Sequence, residues 1–200
     1  MNFKSKITAL LAGLFLTALS FGQTGKPTEY MGVPGPVTFD KTLYYLTWSS
    51  HPSDNYYKQE YLAKGESVDK FKKLILLEML TGDTKLKDIV GAKVAELKRM
   101  KAANPVVNYE AFEKNGEVML DFLVSANTPD GKSLSIVERN VYRYKSIVHV
   151  NGQKAVLLFA VSERAYGNDI DKFLLNLKAH RTDLINLVAA YNIPKAGIAK

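Results

Sequence analysis

The sequence offers two candidates for acid–base chemistry, a histidine and a pair of carboxylates. His51 stands in residues 51–55, which we predict as a loop because they combine proline, serine, aspartate and asparagine. A loop histidine can face a cleft and titrate near neutrality, so His51 is a candidate general acid or base. His149 and His180 belong to other predicted elements, and the three histidines lack the spacing of metal ligands.

The second candidate is a carboxylate pair inside a predicted hairpin. The turn at Pro129-Asp130 sets a register in which Asp121 faces Glu138 on the next strand. Two adjacent carboxylates can share a proton, which raises the pKa of one of them and creates an acid–base pair. Like charges that face each other also destabilise a sheet, and a slip of one residue would move each side chain to the opposite face.

Neighbouring residues offer a purely structural explanation for these acids. The same register places Asn140 beside the carboxylate pair, and Glu163 on the following strand faces Asn140. The opposite face is predicted to carry Arg139, Arg143 and Arg164. Salt bridges between such arginines and exposed acids would account for the charged residues without any catalytic function.

An aromatic hairpin is the stronger functional indication. Two runs of strand-forming residues, 42–50 and 56–62, are separated by about five residues and are rich in tyrosine and tryptophan. These side chains combine a large apolar area with a polar tip that suits binding, although aromatic pairs also stabilise hairpins by about 0.2–1 kcal/mol each. The predicted binding residues are Trp48, His51, Tyr56 and Tyr57.

Strand alternation decides which of these rings face outwards. It predicts Tyr44, Leu46 and Trp48 on one face of the hairpin and residues 43, 45 and 47 on the other. One aromatic set can then pack under helices while the other meets solvent or a partner.

Several common functional classes leave no motif in this chain. The Gly-x-Ser-x-Gly sequence of serine hydrolases is absent, and so are the glycine-rich loops that bind nucleotide phosphates. The chain also has no cysteine, which excludes disulfides and thiolate ligands. We therefore predict no cofactor and no metal.

Hairpin turns and helices position these candidates. Four strands are predicted within residues 106–166, separated by Asn115-Gly116, by the proline turn described above and by Asn151-Gly152. The third strand loses its alternation at Lys145-Ser146, where we predict a bulge.

Three helices complete the predicted layout. The first follows Ser67 as N-cap and covers 67–80, with an apolar surface so wide that it must be largely buried. The second covers 85–103, and the third covers 168–194 with a kink near His180. The order β-β-α-α-β-β-β-β-α predicts an α+β domain, in which helices cover an antiparallel sheet of about six strands as an α/β sandwich.

The first 22 residues predict export. Residues 1–22 resemble a bacterial-type signal peptide: Lys4 and Lys6 precede an apolar core, and small residues allow cleavage near Gly22-Gln23. The apolar core is shorter than the roughly 20 residues that span a bilayer, so no transmembrane segment is expected in the mature chain. Residues 23–41 form a predicted extended lead-in without regular structure, 42–194 a single domain, and 195–200 a C-terminal tail.

These features predict a soluble periplasmic or secreted protein. The formal net charge of +7 would suit an anionic partner, but export makes nucleic acid the least suitable one, and none is predicted. The leading hypothesis is a non-enzymatic module that binds a partner protein or an amphiphilic or anionic ligand. The alternatives are a hydrolase-like enzyme that uses His51 or the pair Asp121 and Glu138, and an accessory protein for envelope assembly.

Overall fold

Two runs of consecutive antiparallel strands build the core of the molecule. The structure is a computed structural model and describes residues 26–148 and 152–197. The first four strands are β1 (Val37–Phe39), β2 (Thr42–Ser53), β3 (Tyr56–Ala63) and β4 (Lys73–Thr81). The next four are β5 (Asn108–Lys114), β6 (Glu117–Asn127), β7 (Leu134–Val148) and β8 (Lys154–Tyr166). The helices are α1 (Leu86–Ala103) and, after a single 3-10 turn, α2 (Ile170–Ala190).

The two runs join through their last strands. The strand order is β1-β2-β3-β4-β8-β7-β6-β5, and each neighbouring pair is antiparallel. One helix packs on each side of this sheet, with α1 against β7 and β5, and α2 against β7 and β8. We call the two sides the α1 face and the α2 face. The predicted α+β class with an antiparallel sheet is confirmed, but the described residues form eight strands instead of about six.

The largest correction concerns the helix predicted over 67–80. Most of this segment forms β4, whose residues are buried on both faces because β4 lies in the middle of the sheet between β3 and β8. A strand covered on both sides has an unbroken apolar sequence, and such a sequence cannot be distinguished from a buried helix by periodicity.

The predicted lead-in also contains regular structure. Val37 and Phe39 are buried and belong to β1, which pairs with β2. Upstream of this strand, the side-chain oxygen of Gln59 accepts hydrogen bonds from the backbone N–H groups of Tyr30 and Met31, at 2.7 and 3.0 Å. Met31 is fully buried. The segment is ordered because the core of the α2 face extends beneath it.

One predicted turn and two of the three predicted helices are confirmed. Asn115 and Gly116 have φ angles of 54° and 76°, as a two-residue hairpin turn requires. Helix α1 spans almost the predicted range, and His180 interrupts α2 with φ −127° and ψ 30°. The bulge predicted at Lys145-Ser146 is wrong, since β7 and β8 pair there without interruption. Apolar and polar residues stop alternating there because this end of β7 extends beyond the part of the sheet that the helices cover.

Some sequence-based predictions fall outside the described residues. These are the signal peptide over 1–22, its cleavage site, His149, the first residue of the Asn151-Gly152 turn, and the last three residues of the tail.

Candidate functional site

The predicted carboxylate pair does not form. Asp121 pairs with Val141, and Glu138 pairs with Val124, so the two acids project from opposite faces of the sheet. The loop after β6 is wider than the predicted turn. A hydrogen bond from the Thr128 N–H to the Ser133 carbonyl, at 2.8 Å, closes it. The register consequently differs by an odd number of positions, which reverses the face of one strand relative to the other.

Asp121 lies on the α2 face in a buried ion-pair network. Its oxygens accept hydrogen bonds from Arg139 Nε at 2.9 Å and from Arg181 Nε at 2.8 Å. Arg139 therefore shares a face with Asp121, contrary to the prediction. Arg143 is also on this face, where it bonds Glu117 at 2.6 Å.

Glu138 lies on the α1 face in a different polar row. It forms an ion pair with Arg164 and accepts a hydrogen bond from Asn140 Nδ2 at 3.0 Å. Asn140 pairs with Ser162, whose hydroxyl donates to Asn140 Oδ1 at 2.5 Å, so Glu163 does not face Asn140 as predicted. Here the predicted register is wrong by one residue.

A β-bulge separates Trp48 from the other aromatic residues of β2. Leu46 pairs with Tyr61 and lies on the α2 face together with Tyr44, as the alternation predicts. The register shifts between Leu46 and Trp48, and Trp48 pairs with Glu60 on the α1 face. The extra residue of a bulge reverses the alternation, so the predicted grouping of Trp48 with Tyr44 is wrong.

The four predicted binding residues are thus divided between the faces. His51 belongs to β2 and not to a loop, and its ring stacks on Tyr57 with centroids 4.2 Å apart. His51 Nδ1 lies 3.0 Å from the Tyr56 carbonyl oxygen, to which it can donate a hydrogen bond. Tyr57 packs in the core of the α2 face, whereas the side chain of Tyr56 points to the α1 face beside Trp48.

On the α1 face, strands of the sheet and helix α1 bring together a set of charged and phenolic side chains. We call this set the polar cluster; it contains four carboxylates, three cations and three tyrosines. Its members are Tyr56, Lys58, Glu60, Glu78, Lys93, Glu96, Glu138, Tyr142, Tyr144 and Arg164. Buried charges are costly unless they are paired, so their pairing decides what the cluster can do.

Glu78 is held by two residues of the neighbouring strand. The Tyr56 hydroxyl donates a hydrogen bond to Glu78 Oε2 at 2.7 Å, and Lys58 Nζ lies 3.4 Å from Oε1. Burial, and secondarily the charge of Glu78, raises the pKa of Tyr56 far above its ordinary value. Tyr56 is therefore a neutral hydrogen-bond donor at every physiological pH.

Glu60 is a carboxyl whose pKa lies far above the ordinary range of a glutamate. Burial raises the pKa of its carboxyl to about 7, with a smaller increase from Glu78, while Lys58 acts in the opposite direction. At neutral pH the carboxyl is divided between its protonated and ionised forms. It can consequently donate or accept a proton, or exchange its proton for a bound cation.

Lys93 lies in the middle of α1 and points to the sheet. It is 1% exposed, forms an ion pair with Glu96 at 3.1 Å, and its ammonium is 5.1 Å from the Phe122 ring centroid. Burial lowers the pKa of Lys93, and Glu96 opposes this shift. The sequence signal for this residue is its spacing from the apolar positions Val90 and Leu97, which places it on the buried stripe.

Helix α1 does not cover the whole α1 face of the sheet. Leu43 and Tyr45 of β2 lie on this side of the sheet and are 46% and 43% exposed, and Trp48 is half-buried. Lys58 Nζ lies 5.7 Å from the Trp48 ring centroid. We call Leu43, Tyr45 and Trp48 the β2 surface; it borders the polar cluster at Glu60 and Lys58.

Neither a metal cluster nor a membrane span is found in the described ranges. Within 26–148 and 152–197, no three histidines or acids lie close enough together to hold a metal ion. No helix in these ranges is both long and apolar enough to cross a membrane.

Comparison with known proteins gives one match. A protein-family model matches residues 31–193, which includes both helices and all eight strands described above. The comparisons with curated proteins and with solved structures gave no match.

Proposed function

We propose a binding function for this chain, which belongs to the protein family whose model covers residues 31–193. Its binding site is the β2 surface together with the adjoining edge of the polar cluster. The observation that carries this proposal is the bulge that turns Trp48 onto the α1 face, where Trp48 lies between exposed apolar residues and the charged groups of Glu60 and Lys58. Half-exposed tryptophan and tyrosine beside paired charges are typical of binding surfaces.

The surface suits an amphiphilic ligand or a segment of a partner protein. An apolar group would pack on Tyr45 and Trp48, and an adjacent polar group would reach Lys58 or Glu60. Lys58 favours an anionic group, whereas the protonated form of Glu60 offers a neutral hydrogen-bond donor. Both interactions fit a ligand with an apolar body and an acidic head.

The same proposal includes the location of the protein. The signal-like sequence over 1–22 supports export. Replacing Leu11 and Leu14 with arginine should interrupt the apolar core and leave uncleaved precursor inside the cell. Normal cleavage and release of that variant would overturn the export proposal.

A second candidate function is acid–base catalysis at Glu60. The observation that favours it is the position of Glu60 directly opposite Trp48, at the edge of the polar cluster, together with burial that raises its pKa to about 7. Tyr56 and Glu78 lie in the same cluster and would orient a substrate. If Glu60 is catalytic, Glu60→Gln should still bind the co-purifying ligand but should no longer convert it to product. If the protein only binds this ligand, neither the wild type nor the variant should convert it.

The binding proposal is tested with the mature protein isolated from its native envelope. Trp48 is the only tryptophan, so its emission reports on the β2 surface. Material that co-purifies with the protein is identified by mass spectrometry and added back to the ligand-free protein. We expect a blue shift and reduced quenching of Trp48, and a loss of both binding and this response in Tyr45→Ser.

The matched control is Phe112→Ser, which removes an aromatic residue of β5 with a similar exposure of 37%. Equal binding by the Tyr45 variant and the wild type would exclude the β2 surface. If Tyr45→Ser and Phe112→Ser weaken binding equally, the loss reflects a general decrease in apolar surface, and this result would also contradict the proposal. An envelope-assembly role would be recognised by a protein partner that meets the same test.

A further inference from the structure

A cavity of about 220 Å³ lies on the α2 face, between the first half of α2 and the strands β6 and β7. We propose that it is a binding site for a small amphipathic anion, namely a carboxylate with a short aliphatic or aromatic body. The site is separated from the β2 surface by the sheet, and the proposal is independent of the proposed function.

The charges around the cavity are predominantly positive. Arg139, Lys178 and Arg181 line it together with a single carboxylate, that of Asp121. Asp121 receives hydrogen bonds from both guanidinium groups, so its negative charge is already neutralised by two cations. Glu110, which does not line the cavity, lies 2.9 Å from Arg181 Nη2. The lining therefore keeps a positive excess that an anion would balance.

Arg139 forms a fixed base for the cavity. Its side chain is 3% exposed, and its position is determined by the bond to Asp121 and by a hydrogen bond from Nη2 to the Arg181 carbonyl at 2.5 Å. The Arg181 carbonyl can accept a bond from a side chain because it lies next to His180, where α2 is interrupted. A cation that is held in place before the ligand arrives loses little conformational entropy on binding.

Lys178 supplies a cation at the opening. It lies three residues before Arg181, on the other side of the interruption at His180, and is exposed; none of the described acids lies within ion-pair distance of its ammonium. Its charge is consequently available to a ligand. A lysine ammonium on a flexible stem can follow an acidic head group into the cavity mouth.

The rest of the lining is apolar and sets the size of the ligand body. Leu123, Leu174 and Leu177 contribute aliphatic side chains. The cavity corresponds to roughly seven water molecules at about 30 Å³ each, less than the 300–1,000 Å³ of pockets for drug-sized ligands. A carboxylate with a chain of about six carbons matches this volume.

A neighbouring cavity of about 260 Å³ on the other side of Arg139 provides an internal comparison. Its lysine, Lys73, lies 3.2 Å from Glu163 and 3.9 Å from Asp40, so two carboxylates already neutralise it. Asp183 adds a third acid to the lining. This cavity has no positive excess, and a carboxylate should avoid it.

Hexanoate is the probe for the test, and hexan-1-ol is the uncharged control of the same length. Binding is followed by the amide and arginine Nε resonances in ¹H–¹⁵N NMR spectra of the mature chain. We expect hexanoate to shift the resonances of Leu123, Leu174 and Lys178, which line this cavity and not the neighbouring one. It should bind at least about five-fold more tightly than hexan-1-ol, and its affinity should fall at high salt. Resonances around Lys73 and the emission of Trp48 should not change.

Lys178→Ala should weaken hexanoate binding about five-fold, and Lys172→Ala, which removes an exposed lysine of the same helix outside the lining, should leave it unchanged. Arg181→Lys serves as a second variant that keeps the positive charge. It should retain part of the affinity. Equal binding of hexanoate and hexan-1-ol, equal effects of the two alanine variants, or unchanged resonances at the cavity would each overturn the proposal.

Discussion

The hydroxyl of Tyr56 donates a hydrogen bond to Glu78 Oε2 at 2.7 Å, diagonally across β3 and β4. Glu78 is 6% exposed and is the one acid in an otherwise apolar run of β4. Lys58 stands directly opposite Glu78 on β3, and its Nζ lies 3.4 Å from the other carboxylate oxygen. The buried charge is therefore tolerated because β3 presents a donor and a cation to it at the right register.

Removing the donor should destabilise the protein. Tyr56→Phe leaves Glu78 Oε2 without its hydrogen bond in a buried position, which we expect to cost about 1–3 kcal/mol of unfolding free energy in urea titrations. Tyr45→Phe, at a 43% exposed position of β2, should change stability by less than about 0.5 kcal/mol. Equal stability of the Tyr56 variant and the wild type would mean that the bond contributes nothing.

Glu60→Gln should change how stability depends on pH. The carboxyl titrates near 4.3 in the unfolded chain and at about 7 in the folded protein, so the folded state binds more protons between these values. Wild-type stability should accordingly fall as pH rises from about 4.5 to 7 and be constant above that range. The glutamine variant should lack this slope and be more stable than wild type at pH 8, by up to about 3–4 kcal/mol, since each unit of pKa difference corresponds to about 1.4 kcal/mol. Thermal melting at pH 5 and pH 8 measures the difference, with Glu113→Gln at an exposed position of β5 as the control.

The two ion pairs of Asp121 should differ in energy. Asp121→Ala leaves the buried guanidinium of Arg139 without its carboxylate and should cost about 3–5 kcal/mol. Arg181→Ala removes a partner that is 41% exposed and should cost about 1 kcal/mol or less. The comparison is made by equilibrium unfolding of the three proteins. Similar losses in both variants would show that burial does not decide the energy of this network.

A substitution at Gly116 tests the hairpin between β5 and β6. Gly116 has a φ of 76°, and an added Cβ would meet no atom within 4 Å, so any loss arises from backbone conformation alone. Gly116→Val should lower stability by more than about 1 kcal/mol, whereas Gly116→Asn should be close to neutral because asparagine tolerates positive φ. The pair of variants is compared by thermal melting. A valine variant as stable as the asparagine variant would contradict the prediction.

Short-range interactions explain why some elements were predictable from the sequence. The Asn115-Gly116 turn, the range of α1 and the interruption at His180 depend on the conformational preferences of neighbouring residues and on helical periodicity. These preferences act over a few residues, so a single sequence contains them.

The candidate site depends on the alignment of strands that are distant in sequence. Asp121 and Glu138 were predicted to face each other, but a wider loop changes their register, and a single bulge moves Trp48 from one face to the other. Side-chain direction in a strand alternates with every residue, so an error of one position reverses the result. Glu78 escaped prediction for a related reason, since it occupies an apolar run and its polar partners, Tyr56 and Lys58, come from β3.

The sequence by itself determined the α+β class, the Asn115-Gly116 turn, the second and third of the predicted helices, and a concentration of aromatic residues in β2 and β3. Only the tertiary structure decided that residues 73–81 form a central strand, which side chains share a face, and which charges are paired. The physical reason is that burial on both sides removes the alternation that identifies a strand, and the pairing of buried charges is selected by long-range packing energy that no local pattern contains.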